Sequence, residues 1–247
     1  MEKKIAILND IHYPFANQEF VDRACIEIRD EKPDVIVVNG DVLDFPGLSK
    51  YGISPTLNYS SLETQMSLAR SFFSDLRKEN PDAKIYFTEG NHEFRMKSYV
   101  IRETGKMDRE LREKIYRAID LKKDLDLGKL NIKFIATMYD SPKWTDTYVD
   151  IEGIKIGHFD TVANPTVPAG MTIRKLMMKY GHINIVQAHI HRAAIIWNTD
   201  MDDNQVFGME VPALCRPPFY RRIVNWQYGY GIIEKIDGKW SPRLKVF

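Results

Sequence analysis

Cysteine is scarce in this chain: its 247 residues include only two, Cys25 and Cys215, far apart and without metal-type spacing. A disulfide framework is excluded, and both are expected to be buried reduced thiols with no functional part. Charge of one sign is also missing, since 35 Lys and Arg face 34 Asp and Glu for a formal net charge of +1. There is no global pull toward nucleic acid or an anionic membrane, so attraction for a substrate must be local. No stretch approaches the about 18 consecutive apolar residues of a membrane span. In "MEKKIAILNDIH" the basic residues are followed by only four apolar ones before Asn9, too few for a signal-peptide core. These absences predict a soluble, cytoplasmic protein. No repeat or low-complexity linker divides it, and the length fits one domain over 1–247.

What is present is alternation. "IAIL" (5–8), a helix near 17–31, "VIVV" (35–38), a helix near 61–79 and "IYF" (85–87) read as βαβαβ, with parallel strands buried on both faces. For the second helix, Ser60 and Glu63 suggest a capping box, Leu62, Met66, Ala69 and Phe73 share a face, and Pro81 follows the end. Residues 93–127 are charged in both signs, with Leu111, Ile115, Ala118 and Ile119 at helical spacing. They read as one or two inserted amphipathic helices, either a solvated face or a substrate-covering lid. Further strands are expected near 131–136, 147–151, 154–157, 183–187, 194–198, 205–210, 229–235 and 243–247, with a helix near 171–180.

Each early strand ends in metal-binding or proton-moving residues. "IAILNDIH" delivers Asp10 and His12, "VIVVNGDVLD" delivers Asp41 and Asp44, and "IYFTEGNHE" delivers Asn91, His92 and Glu93. Two later strands repeat the design with His158 in "IKIGHFD" and His189 and His191 in "INIVQAHIH". Ligands bind at the carboxyl ends of strands in open parallel sheets, so the clusters should meet. An extended chain has a period of two, which would put Asp10 with His12, and His189 with His191, on one side. Imidazole, carboxylate and amide oxygen together favour Zn, Fe or Mn over Ca. Taken singly, each residue reads more readily as structural: a hydrogen-bonded His, or Asp41 as a turn residue or helix cap. Five clusters at five strand ends read as function.

In that order, Asp10-x-His12, Gly40-Asp41-x-x-Asp44, Gly90-Asn91-His92-Glu93, His158 and His189-x-His191 resemble the calcineurin-like metallophosphoesterase superfamily. Ala188 replaces the usual glycine before H-x-H, and the fourth motif is reduced to Gly157-His158. His182 is the only rival to His158, and it lies at the wrong end of its strand. The resemblance implies an α/β fold, a four-layer αββα sandwich of two mixed sheets flanked by helices. It implies one divalent transition metal on Asp10, His12, Asp41 and His191, a second on Asp41, Asn91, His158 and His189, and Asp41 as the bridge. Mn leads as the ion, with Fe or Zn as alternatives. It further implies attack by a metal-bridging hydroxide, His92 as the acid that protonates the leaving oxygen, and Asp44 holding His92 protonated. Two dications less two carboxylates and a hydroxide leave about +1 for an anionic phosphoryl group. Glu93 is either a support to the site or a helix-start charge, and the latter is favoured because acids stabilise a first helical turn.

Protein phosphatases of the superfamily resemble GDxxDRG, whereas here Phe45 and Pro46 follow Asp44. Arg95 and Arg192 are near enough in sequence to replace the missing arginine. "CRPPFYRRIVNWQYGYG" (215–231) mixes Arg216, Arg221 and Arg222 with Phe219, Tyr220, Trp226 and Tyr228. It suits a loop that stacks bases and contacts phosphates, or else a turn ahead of a sandwich strand. The leading expectation is a phosphodiesterase acting on a nucleotide or nucleic acid. A phosphomonoesterase or protein phosphatase, and a scaffold without turnover, are the alternatives.

Overall fold

The structure is a computed structural model that describes residues 3–50, 60–136, 147–160, 167–217 and 225–247. Four parallel strands, β1 (Lys3–Leu8), β2 (Val35–Asn39), β3 (Lys84–Thr88) and β4 (Ile132–Ile135), lie side by side. The antiparallel pair β10 (Gly229–Ile236) and β11 (Lys239–Val246) extends them beyond β1, giving the order β11-β10-β1-β2-β3-β4. The second sheet has the order β5-β6-β7-β9-β8, from Tyr148–Ile151, Ile154–Gly157, Asn184–Gln187, Gln205–Glu210 and Ala194–Thr199 respectively.

The uniformly apolar strands are two-sided. Ile5, Ile7, Val35 and Val37 face the second sheet and pack with Ile154, Ile156, Val186, Phe207 and Met209. Their neighbours Ala6, Leu8, Ile36 and Val38 face α1 (Gln18–Glu31) and α2 (Leu62–Glu79), which supply Val21, Ile28, Ala69, Phe73 and Leu76. The helix α6 (Met171–Lys179) covers the far side of the second sheet with Ile173, Leu176 and Met177. Helix, sheet, sheet and helix are the four layers expected.

Local boundaries differ where capping and edges decide them. Ser61, not Ser60, caps α2, its hydroxyl accepting from the Thr64 N–H at 3.1 Å, and Leu62 at the first helical position is exposed. The last strand starts at Lys239 rather than 243 because Pro242, on an edge strand, need not donate to a further neighbour. The charged insertion holds three helices, α3 (Arg95–Glu103), α4 (Arg109–Ala118) and α5 (Leu121–Asp124). Nothing in α3 or α4 is buried, yet Leu121, Leu125 and Leu127 belong to the core beside α2. The tail of the insertion is therefore scaffold. Among the described residues no helix is long and apolar enough to cross a membrane.

Candidate metal centre

Five of the chain's six histidines gather where β1, β2, β3, β6 and β7 end. The loops after β1 and β2 run together: Asp10 N–H donates to Gly40 O at 3.1 Å, His12 N–H to Asp41 O at 2.9 Å and Asp44 N–H to Tyr13 O at 2.9 Å. The expected period-two spacing is not what aligns the pairs. Asp10 and His12 lie past β1, and His189 and His191 past β7, with φ of 52°, 54°, 72° and 57°. Asp41 has φ 53° as well. Left-handed turns at alternate residues bury Ile11 and Ile190 and aim the flanking donors together. Gly90 permits the approach of β3's turn, because a Cβ there would collide with the side chain and backbone of Asp41.

Asp41 is the centre of the arrangement. Its Oδ1 accepts from the His92 N–H at 2.9 Å. Its Oδ2 is buried without a hydrogen-bond partner, while Nε2 of His158, His12 and His92 surround it at 3.1, 3.7 and 3.9 Å. His12 Nε2 is likewise buried and unpartnered, 3.6 Å from Asp10 Oδ1. His191 Nε2 stands 3.2 Å from that same oxygen. On the other side, His158 Nε2 lies 3.0 Å from Asn91 Oδ1 and 3.3 Å from His189 Nδ1. Candidate ligand atoms of Asp10, His12 and Asp41 form one group within 4.8 Å of one another, and those of Asp41, His158 and His189 another. The two groups share Asp41. An orphaned carboxylate oxygen among imidazole nitrogens, with an amide oxygen at hand, is a donor set that fits divalent metal binding.

Charges at the centre are pressed against one another. Burial opposes ionisation of Asp41, but His158 and His92 hold its carboxyl far below the usual range. Burial likewise pulls His12 and His158 down, yet Asp10 and Asp44 push the former, and Asp41 the latter, up to about 10. His189, buried and beside His158, is pulled down to about 3. Protons and metals compete for such nitrogens, so metal uptake should release protons.

His92 departs from expectation. Its Nδ1 lies 3.0 Å from Asp44 O and 3.4 Å from Asp44 Oδ1, but burial pulls the imidazole below its ordinary value despite Asp41 and Asp44. Arg95 Nη2 lies 3.0 Å from His92 Nε2, and its Nη1 donates to Asp44 Oδ1 at 3.0 Å. Arg192 is buried, and its charge acts on Glu210. Arg221 and Arg222, with Phe219 and Tyr220, lie outside the described residues.

The helix-start reading of Glu93 is overturned. Its carboxylate is fully buried and accepts from the N–H groups of Asp41 at 2.8 Å, Leu43 at 2.9 Å and Gly90 at 2.9 Å. It clamps the second and third strand ends together; burial and Asp41 push it up to about 7. Two asparagines went unnoticed in the sequence. Asn9 donates to Asp10 Oδ2 at 2.6 Å; Asn39 places its backbone carbonyl 3.0 Å from His158 Nδ1, turning Nε2 toward Asp41, and its side-chain amide donates to Gly157 O at 2.9 Å beside that histidine. An Asn closing an otherwise apolar run, as in "IAILN" and "VIVVN", was the available signal. Cys215 also has company: its Sγ lies 3.8 Å from His191 Nδ1.

The model of the family described as calcineurin-like phosphoesterase matches residues 3–193. The chain belongs to that family. Gene 54 protein of Mycobacterium phage L5 is 23% identical to this phosphoesterase-family chain, covering 97% of it and 91% of the phage protein. Its counterpart in Mycobacterium phage D29 is 21% identical, covering 96% and 91%. Among solved structures, a novel phosphatase from Mycoplasma pneumoniae aligns with 100% of this chain and 94% of its own, at 12% identity and a TM-score of 0.43. Vacuolar Protein Sorting 29 from Cryptosporidium parvum aligns with 100% and 98%, at 11% identity and a TM-score of 0.45.

Proposed function

We propose that this chain is a two-metal-dependent phosphoesterase that hydrolyses a phosphodiester of nucleotide or nucleic-acid type. The observation that carries the proposal is the buried, unpartnered Asp41 Oδ2, ringed by histidines and shared by two groups of candidate ligands. Asp10, His12, Asp41 and His191 would hold one ion, and Asp41, Asn91, His158 and His189 the other. Mn is the first choice, with Fe or Zn as alternatives. When bound, such ions act as Lewis acids on phosphoryl oxygens and make water acidic enough to attack at neutral pH.

The chain's own residues do the rest. Asn39 fixes the His158 ring, Asn9 turns Asp10, and Glu93 holds the Asp41 turn in place. His92 would direct Nδ1 at Asp44 and use Nε2 to protonate the leaving oxygen. Arg95, whose Nη2 now donates to that nitrogen, would have to turn away from it before Nε2 could carry the proton. A diester is favoured because a monoester dianion brings an additional charge, while Arg95 is already engaged with Asp44 and no arginine follows it. A nucleic-acid or nucleotide ligand is suggested by the arginines and aromatics of 215–231, whose Trp226 stands next to the centre with its ring centroid 4.0 Å from that of His191.

Elemental analysis and a panel of chromogenic diesters and monoesters, assayed with added Mn, test the reading. Bound metal and a higher kcat/KM on diesters are expected. Full activity under thorough chelation would overturn the metal chemistry, a preference for monoesters the diester assignment, and a metal-loaded protein inert on every ester the enzyme itself.

A further inference from the structure

His191 presents its two ring nitrogens to chemically opposite neighbours. Nε2 lies 3.2 Å from Asp10 Oδ1, a hard oxygen, and Nδ1 lies 3.8 Å from Cys215 Sγ, a soft sulfur. His12, Cys215 and His191 each offer a candidate ligand atom within 4.8 Å of the others, and all three residues are buried. His12 has a nitrogen to spare, since its Nε2 lacks a hydrogen-bond partner. Thiolates select zinc and its soft relatives, whereas carboxylates and water suit manganese.

We propose that His12, His191 and Cys215 form a sulfur-bearing face of the centre that takes a thiophilic divalent ion, Zn²⁺ or Cd²⁺, in competition with the ion on the carboxylate face. The His191 tautomer selects between them. With hydrogen on Nδ1, that proton points at Cys215 and Nε2 is free for an ion beside Asp10. With hydrogen on Nε2, the proton is donated to Asp10 Oδ1 and Nδ1 is free on the sulfur side. Binding there forms a metal–sulfur bond and breaks the S–H bond, whose proton passes to solvent. An ion so placed uses both histidines that the first manganese position needs, so it should inhibit.

The sharing of His12 and His191 ties this inference to the proposed centre, but its main readout needs no hydrolysis. The full chain carrying Cys25→Ser is titrated with Cd²⁺ and followed by near-ultraviolet sulfur-to-cadmium charge-transfer absorption. The band should appear, and Cys215→Ser in the same background should abolish it. Zn²⁺ inhibition of Mn-supported hydrolysis should weaken in Cys215→Ser by at least the about 10- to 100-fold that loss of a group merely supporting a metal ligand costs. Cys215→Ala repeats both measurements without a hydroxyl to bury. Absence of the band in the Cys25→Ser chain, or its survival without Cys215, overturns the proposal whether or not the protein proves to be an esterase.

Discussion

Strand β2 is buried along its whole length and delivers Asp41, whereas α4, whose apolar residues repeat at helical spacing, buries none of them. Both segments have regular patterns, but only one has a partner on each side. A pattern states what a segment is able to bury, and the layers decide whether it does. The residues of the candidate centre hang from the fully packed strands, whereas the inserted helix α4 sits outside that packing and α3 meets it through the half-buried Met96.

The sharpest break in this comparison should come from Asp41→Asn. It removes the shared carboxylate, so nearly all turnover and the joint uptake of two ions should be lost, as read by elemental analysis and a diester assay. His92→Asn should retain metal and lose about 10²- to 10⁴-fold in rate, least for leaving groups already stable as anions. Equal loss for good and poor leaving groups would remove His92 from the acid role.

Glu93→Ala tests whether the strand ends form one clamped unit. One buried donor left without an acceptor costs about 1–3 kcal/mol, and this change orphans three backbone N–H groups. Its denaturation midpoint should fall clearly below that of wild type, with Glu93→Gln falling less. The smallest effect should be Leu111→Ala in α4, within about 0.5 kcal/mol as for other exposed sites. Phe73→Ala, in the core under β3, should cost about 3–5 kcal/mol. If Leu111→Ala approaches Phe73→Ala in urea denaturation, α4 is packed and the contrast fails.

The strands, their order along the chain and the donors at their ends were legible because apolar runs and His, Asp and Asn are visible one residue at a time. Less legible was whatever depends on a partner distant in sequence. Glu93 looks like a helix-start charge until Asp41, Leu43 and Gly90 are brought to it. Cys215 looks idle until β7 places His191 against it. Asp10-x-His12 fits the period of an extended chain, but side chains converge by left-handed turns as well, and the letters are identical either way. Leu121, Leu125 and Leu127 fall inside the charged insertion of 93–127, where the surrounding lysines and aspartates mask three core residues.

Those five left-handed residues, Asp10, His12, Asp41, His189 and His191, carry a thermodynamic consequence. A non-glycine residue held there stores about 1–3 kcal/mol, with Asp and His toward the lower end because they enter this region more readily than most. The centre is thus a spring wound at five points and kept wound by its neighbours, among them Gly40 O on Asp10 N–H and Glu93 on Asp41 N–H. Replacing His191 by glycine should release part of that tension while deleting a donor. A library of variants selected for heat resistance alone would therefore discard the chemistry first, and the survivors would be tougher, inert copies of the same sandwich.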